Sequence, residues 1–312
     1  MIKILVVCGP TATGKTSLAL ALAQKFKGEL VSADSKQVYK SLDIGTGKDV
    51  SPDFRKKGYY EYKGIKIWGY DLIGPKDEFS VSQFVTFARD KIGEIFKKGR
   101  LPILVGGTGL YIRAIVDGIS TVEVPKNKAL RKNLAEKSVE ELFELLAQLD
   151  PIKAGSLNAS DRKNPRRLIR AIEIGTWKLE YGAFVEKRPR AYQSVLMVGL
   201  NTDKKVLFKK IEQRVDERLR AGIEKEISSL LKKGVEWRNQ SMSSLGYRQF
   251  RRFFEGKESK KEAIEAWKKE ERKYAKRQMT WFKKDSRINW FDISKSDWRE
   301  NVEKLVKKWY SS

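Results

Sequence analysis

Residues 9–16 read Gly9-Pro10-Thr11-Ala12-Thr13-Gly14-Lys15-Thr16, a complete G-x-x-x-x-G-K-[ST] phosphate loop. Ahead of it, Ile2 to Cys8 is an apolar, β-branched run that reads as a buried strand. Behind it, Thr16-Ser-Leu-Ala-Leu-Ala-Leu-Ala-Gln24 reads as a helix. Strand, glycine loop and helix in this order aim backbone N–H groups and a helix N-terminus at phosphate oxygens. In that geometry Gly9 to Thr16 wrap phosphates, Lys15 reaches the terminal one, and the Thr16 hydroxyl is placed to hold Mg2+. The loop establishes that phosphates bind and leaves open which phosphates.

Outward from the loop, strand and helix patterns alternate. Leu30-Val-Ser-Ala-Asp34 reads as a second strand ending in a carboxylate. Ile65 to Leu72 reads as a further strand in an aromatic stretch. Val81 to Lys97 carries Phe84, Phe87, Ala88 and Ile92 on one helical face. Pro102-Ile-Leu-Val-Gly-Gly-Thr108 is an apolar strand breaking into a diglycine turn, and a helix follows over Leu110 to Val116. This alternation predicts an α/β fold with a parallel, doubly wound sheet flanked by helices. After Gly118 the texture becomes helical and charged. Val139, Leu142, Leu145 and Leu146 form one apolar face, and Leu168, Ile169, Ile172 and Ile174 another. Residues 121–191 therefore read as a helical insertion, and Ser194 to Leu200 returns as a strand to the sheet. Helical patterns over 204–232 and 260–284, a strand at Ile288–Asp292 and a helix over 297–310 complete a core made of residues 1–120 and 192–312.

The 312 residues hold no histidine, so His-based triads and His metal sites are excluded, and a general base must be a carboxylate, lysine or tyrosine. The one cysteine, Cys8, ends the first strand and reads as a core residue. No run approaches the length of a membrane span, and no signal segment precedes the first strand, so the expected setting is the cytoplasm. Lys and Arg number 65 against 40 Asp and Glu, a net charge of +25. A polyanionic partner, nucleic acid first, explains that surplus more simply than solubility does.

Three segments refine the phosphate loop. Asp34 lies on the carboxyl edge of the sheet, where ligands of such folds bind. Gly106-Gly-Thr108 places a hydroxyl on the same edge, and Ser244-Leu-Gly-Tyr-Arg-Gln249 sets an aromatic and a cation beside a glycine turn. Alone, each is weak: an Asp after a strand is often a helix cap, and Gly-Gly-Thr is usually a turn. Their order continues with Val38-Tyr39, Asp43-Ile-Gly-Thr46, Phe79-Ser-Val81 and Phe84. It ends with Asn164-Pro-Arg-Arg-Leu-Ile-Arg-Ala-Ile-Glu173, Ile211-Glu-Gln-Arg214 and Lys276-Arg-Gln-Met-Thr-Trp-Phe282.

Over roughly residues 2–290 this series resembles the tRNA dimethylallyltransferases. The resemblance implies transfer of a dimethylallyl group from its diphosphate to N6 of the adenosine 3′ of the anticodon, with Mg2+ as cofactor and the tRNA anticodon stem-loop as partner. It also implies a phosphate loop of the nucleotide-hydrolase kind holding diphosphate, Asp34 as base, Thr108 near the reacting amine or the diphosphate, and Arg214 clamping diphosphate oxygens. The expected tRNA contacts are Asp34, Ser35, Lys36, Gln37, Thr108, Arg131, Arg166, Arg167, Arg170, Gly246, Tyr247 and Arg248, in a monomer. Among Trp267, Tyr274, Trp281 and Phe282, helix core is the favoured reading for most. The chain departs from the family at 52–72, where relatives usually carry paired histidines whose role is here lost or taken by Tyr70 and Asp71. It departs again at Gly45-Thr-Gly-Lys48 and at Gly175–Glu180, and it lacks the zinc finger of some eukaryotic relatives, which fits a bacterial-type enzyme. The competing readings are a small-molecule kinase using ATP, a prenyltransferase acting on free adenine nucleotides, and a non-catalytic RNA-binding protein with a relic loop.

Overall fold

Strand β1 (Lys3–Cys8) is buried over almost its whole length because each of Ile4 to Cys8 is apolar and has a neighbour on both edges. The computed structural model describes residues 2–182, 192 and 194–312. After β1 come α1 (Lys15–Lys25) and β2 (Gly28–Ser32), then three short strands, β3 (Arg55–Lys56), β4 (Tyr59–Tyr62) and β5 (Ile65–Trp68). Next are α2 (Val81–Lys97), β6 (Leu101–Val105) and α3 (Gly109–Val116). Helices α4 (Lys128–Ala135), α5 (Val139–Leu149), α6 (Pro151–Gly155), α7 (Ala159–Arg162) and α8 (Pro165–Tyr181) follow. The chain ends with β7 (Ser194–Asn201), α9 (Lys204–Arg220), α10 (Ile223–Lys232), α11 (Tyr247–Phe254), α12 (Lys260–Phe282), β8 (Ile288–Asp292) and α13 (Trp298–Ser311).

Among the described residues the sheet has eight strands in the order β3-β4-β5-β2-β6-β1-β7-β8. All pairs from β5 to β8 are parallel, with Leu5 opposite both Ile103 and Leu196, and the β3-β4-β5 edge is antiparallel. The parallel part meets the expectation from alternating strand and helix patterns. The antiparallel edge does not: instead of one strand over Ile65 to Leu72, the chain makes a hairpin before β5. Its turn is Lys63-Gly64, with both residues at positive φ (51° and 74°), the geometry a two-residue hairpin turn requires.

One face of the sheet is sealed by α1 and α13, whose Leu18, Leu22, Val302 and Val306 pack on Leu5, Val7, Ile103 and Val198. Each such side chain contributes about 1.5–3 kcal/mol when fully buried. The position of the phosphate loop follows from the same packing. Gly9 has φ 133°, and a Cβ there would lie 2.4 Å from the Leu200 carbonyl oxygen, so the loop leaves β1 pressed against β7.

The described residues divide into two compact units. The first takes the chain up to Asp117 and resumes it by Tyr192; the second begins at Gly118 and runs through α8. The limit set for the insertion from sequence, residue 191, lies outside the described residues. The second unit has its own core of Leu142, Leu146, Leu168 and Ile172, partly covered by Val139, Leu145 and Ile169. Its α5 starts at a capping box in which Ser138 and Glu141 satisfy each other's backbone N–H.

Candidate active site

The carboxyl ends of β1, β2 and β6 open into a cavity of about 860 Å³ that α9 and α12 also line. The phosphate loop lies along it. Gly14, in the left-handed region at φ 78°, caps α1, leaving the free N–H groups of that helix's first turn for an anion. Thr11, Ala12, Gly14, Lys15 and Thr16 line the cavity; Gly9, Pro10 and Thr13 form the loop's frame, with the buried Thr13 hydroxyl donating 2.9 Å to the Pro10 carbonyl. The Lys15 Nζ donates 2.7 Å to the same carbonyl. Burial, with the charge of Arg214 beside it, pushes the Lys15 ammonium down to about 8.

Asp34 follows β2 by two residues. Its Oδ1 accepts the backbone N–H groups of Lys36 (2.8 Å) and Gln37 (3.4 Å), a local turn that holds the carboxylate at the cavity wall. Burial raises its carboxyl above the ordinary aspartate range despite those bonds and the charges of Lys15 and Lys36. Ser35 also lines the cavity, and its N–H donates 3.1 Å to the Thr108 hydroxyl. The Thr108 hydroxyl is thus bonded to the Asp34 turn and to Tyr274 of α12, and the residue is not part of the cavity lining. Through these two bonds it positions the turn that carries Asp34. Lys36 bonds the Gln240 carbonyl and the Ser243 hydroxyl, and the buried Gln37 bridges Ser32 and the Gly47 carbonyl.

Arg214 reaches in from α9. It donates to Thr11 Oγ1 (3.2 Å), the Gly47 carbonyl (3.2 Å) and Asp49 Oδ1 (2.5 Å), so it faces the phosphate loop as expected. Sequence reasoning passed over several of its neighbours. One turn further along α9, buried Arg218 pairs with Glu271 of α12 at 3.0 Å, and Arg218 Nε has no partner. Gln278 of α12 accepts the Thr11 N–H and donates to the Gly107 carbonyl, both at 2.9 Å, tying the phosphate loop to the diglycine turn. The i, i+4 spacing of Arg214 and Arg218 was the available signal for one of these. Gln278 lay inside a quoted motif without a role.

Four of the expected RNA contacts are spent inside the protein. Glu173 is 2% exposed. Burial would raise its carboxyl, but hydrogen bonds from Arg131, Arg170 and the Asn127 N–H outweigh this and hold it down to about 2. Arg131 grips it with two nitrogens, while Arg170 bonds it and the Thr121 and Val124 carbonyls. A buried carboxylate needs such partners, so the nitrogens that bond Glu173 are committed to it. Tyr247 is fully buried with its hydroxyl on Glu226 at 2.5 Å, and Gly246 packs against Trp267. Glu226 in turn accepts the N–H groups of Asp43, Ile44 and Gly45, so Tyr247 supports the loop at the cavity edge. Arg167 pairs with Asp161 and is exposed, as is Arg166; Arg248 lines the cavity and pairs with Glu270 at 2.9 Å. Trp267 and Phe282 are helix core, as favoured, whereas Tyr274 lines the cavity and Trp281 is 41% exposed. Asp71 does not face the cavity: it accepts from Tyr60, Arg55 and the buried Lys48, while Tyr70 lines the cavity. Cys8 is buried and pushed up to about 12, a core thiol.

Residues 37–285 match the family model described as IPP transferase, and residues 2–59 the one described as isopentenyl transferase. A tRNA dimethylallyltransferase of Anoxybacillus flavithermus is 38% identical over 294 residues, covering 94% of this chain and 91% of that protein. The chain belongs to the tRNA dimethylallyltransferase family. Another such dimethylallyltransferase, from Acetivibrio thermocellus, is 37% identical over 98% of this chain and 97% of its own length. Among solved structures, the full-length tRNA isopentenylpyrophosphate transferase of Bacillus halodurans is 31% identical with a TM-score of 0.72, covering 99% of this chain and 96% of that one. A eukaryotic dimethylallyltransferase acting on tRNA, at 24% identity and a TM-score of 0.80, shares the fold and covers 98% of this chain and 78% of that one. The chain is therefore a prenyl-transferring enzyme on a P-loop-like core, and among its described residues no helix is long and apolar enough to cross a membrane.

The oxygen donors suit magnesium. Among the described residues there is no group of three or more metal-binding side chains. The Thr16 hydroxyl and the Asp49 carboxylate meet at 2.6 Å on the cavity. Mg2+ characteristically takes one or two protein oxygens, substrate phosphate oxygens and waters instead of a full protein cage. Thr16 and Asp49 would hold it at the mouth of the phosphate loop.

Proposed function

We propose that the chain transfers a dimethylallyl group from dimethylallyl diphosphate to N6 of the adenosine immediately 3′ of the anticodon. The product is N6-(dimethylallyl)adenosine in tRNAs that read codons starting with U. Mg2+ is the proposed cofactor, and the protein acts as a cytoplasmic monomer.

The observation that carries this reading is the pairing, in one cavity, of an anion cradle with a carboxylate whose affinity for a proton is raised. Lys15, Arg214 and the first turn of α1 supply the cradle, and Asp34 the base. Prenyl transfer needs both at once. The C1–O bond of the donor breaks and its electron pair leaves with the diphosphate, onto which Lys15 and Arg214 direct hydrogen bonds. The N6–C1 bond forms, and the amine proton passes to Asp34. Mg2+, when bound, neutralises charge on the departing diphosphate. Burial matters for Asp34 because a carboxylate with an ordinary pKa is a poor proton acceptor. The turn closed by Thr108 and Tyr274 keeps it aimed into the cavity, and the adenine must be extruded from its stack to reach it.

The test is incubation of the protein with dimethylallyl diphosphate, Mg2+ and unmodified tRNA, followed by mass analysis of the nucleosides. The expected result is N6-(dimethylallyl)adenosine at the position 3′ of the anticodon. No gain of prenyl mass would refute the reading, and phosphate transfer in a parallel tube with ATP would replace it with a kinase.

A further inference from the structure

The phosphate loop and Arg214 are joined by a residue that belongs to neither. Asp49 lies in the segment after β2, far in sequence from both partners. Its Oδ2 accepts the Thr16 hydroxyl at 2.6 Å and its Oδ1 accepts Arg214 Nη2 at 2.5 Å. The side chain is 41% exposed toward the cavity. Arg214 is turned onto this carboxylate by two further bonds, to Thr11 Oγ1 and the Gly47 carbonyl. A carboxylate thus occupies the two groups that a donor diphosphate needs most, the cation and the hydroxyl of the cradle.

We infer that Asp49 is an exchange ligand that makes diphosphate binding conditional on a divalent cation; the inference rests on the reading of the cavity as a diphosphate site. Asp49 holds Arg214 and Thr16 as an anion would. An incoming diphosphate must take Arg214 from it, and the freed carboxylate then stands beside the phosphate oxygens with like charge. A divalent cation between them turns that repulsion into attraction, with Thr16 and Asp49 on one side and phosphate oxygens on the other. Asp49 therefore opposes metal-free diphosphate and favours the magnesium complex. The cost of unpaired like charges and the gain from a shared cation fall on the same carboxylate, so removing its charge alters both in opposite senses.

The experiment measures the affinity of inorganic pyrophosphate by titration calorimetry at fixed pH, with Mg2+ and with chelator, for the unaltered protein and for Asp49→Asn. The asparagine keeps the shape and the hydrogen bond to Thr16 and removes the charge. Binding coupled through a shared site usually changes about 5–150-fold. The unaltered protein should show an enhancement by Mg2+ in that range. In Asp49→Asn, metal-free pyrophosphate should bind more tightly than to the unaltered protein, and most of the enhancement should be lost. An enhancement equal in both proteins, or weaker metal-free binding by the variant, overturns the role of Asp49. If the unaltered protein binds no pyrophosphate with Mg2+ present, the diphosphate reading falls and the inference with it. Thermal unfolding of the variant, read beside the titration, separates loss of fold from loss of charge.

Discussion

Lys15 is a buried ammonium with Arg214 beside it, which is why it releases its proton near 8. An anion prefers the charged form. Below about 8 the charge is present and binding takes up no proton; above it, binding must bring the proton back. Pyrophosphate affinity is therefore expected to fall as pH rises through about 8, by up to about tenfold per pH unit, with proton uptake detectable by calorimetry in buffers of different ionisation enthalpy. Lys15→Gln, which lacks the group, subtracts the titration of pyrophosphate itself; an identical pH profile in both proteins counts against this account. At Asp34 the sign is the reverse. Its raised carboxyl must be ionised to accept a proton, so turnover should drop on the acid side at a pH above the ordinary aspartate range. Asp34→Asn should lower prenyl transfer by about 10²–10⁴ while tRNA binding stays within about tenfold, because a base acts only as the bond forms. Single-turnover transfer and filter binding of tRNA check the two halves.

At the scale of elements, the cavity depends on the loop 43–49 being held between α9, α10 and the phosphate loop. Gly47 shows how tightly. It sits at φ 62°, and a Cβ there would lie 2.1 Å from Arg218 Nη2 and 2.9 Å from Arg214 Nη2. Gly47→Ala should cost about 1–2 kcal/mol of stability from the left-handed backbone alone. It should also displace both guanidinium groups and weaken pyrophosphate binding further than that loss accounts for. Denaturant unfolding and calorimetry separate the two, and unchanged pyrophosphate affinity would show that the pair tolerates the methyl group. The same loop shows what a sequence can disclose. Helix α2 was readable to its ends, since Ser80 and Gln83 form a capping box ahead of a regular apolar face, and β8 was bounded by charges. The β4–β5 hairpin was not readable: tyrosines and lysines fall on both faces, and only Lys63-Gly64 marks the turn. The helical pattern over 204–232 is two helices because Gly222 turns at φ 94°. Asp34, Lys15 and Arg214 were legible because each sits at a motif or strand end. Asp49, Arg218 and Gln278 act through partners distant in sequence that no local pattern joins.

Over the whole molecule the charge surplus is only partly at the surface's disposal. The expectation of a polyanionic partner rested on all 65 lysines and arginines, yet Arg131, Arg170 and Arg218 neutralise buried carboxylates. Two substitutions in the second unit should therefore part ways. Arg166→Ala, at an exposed position, should weaken tRNA binding and reduce the slope of log affinity against log salt by about 0.7–1 for one lost phosphate contact. Arg170→Ala should instead destabilise that unit by about 1.5–3 kcal/mol, because it strips one of the partners from buried Glu173 while Arg131 remains. Binding isotherms across a salt series, with thermal unfolding alongside, distinguish them; equal effects on both readouts would contradict the division drawn from Glu173.

The press of Gly9 against Leu200 has a consequence for how the protein is made. β1 leaves the ribosome well before β7, and the edge it presents to β7 waits for a partner that arrives only after α8 and the whole second unit have been synthesised. Until then the nascent chain carries an uncovered apolar strand and a phosphate loop lacking the backbone that seats it. The phosphate loop is thus seated only once β7 has been made, and that interval is when a chaperone has most to shield.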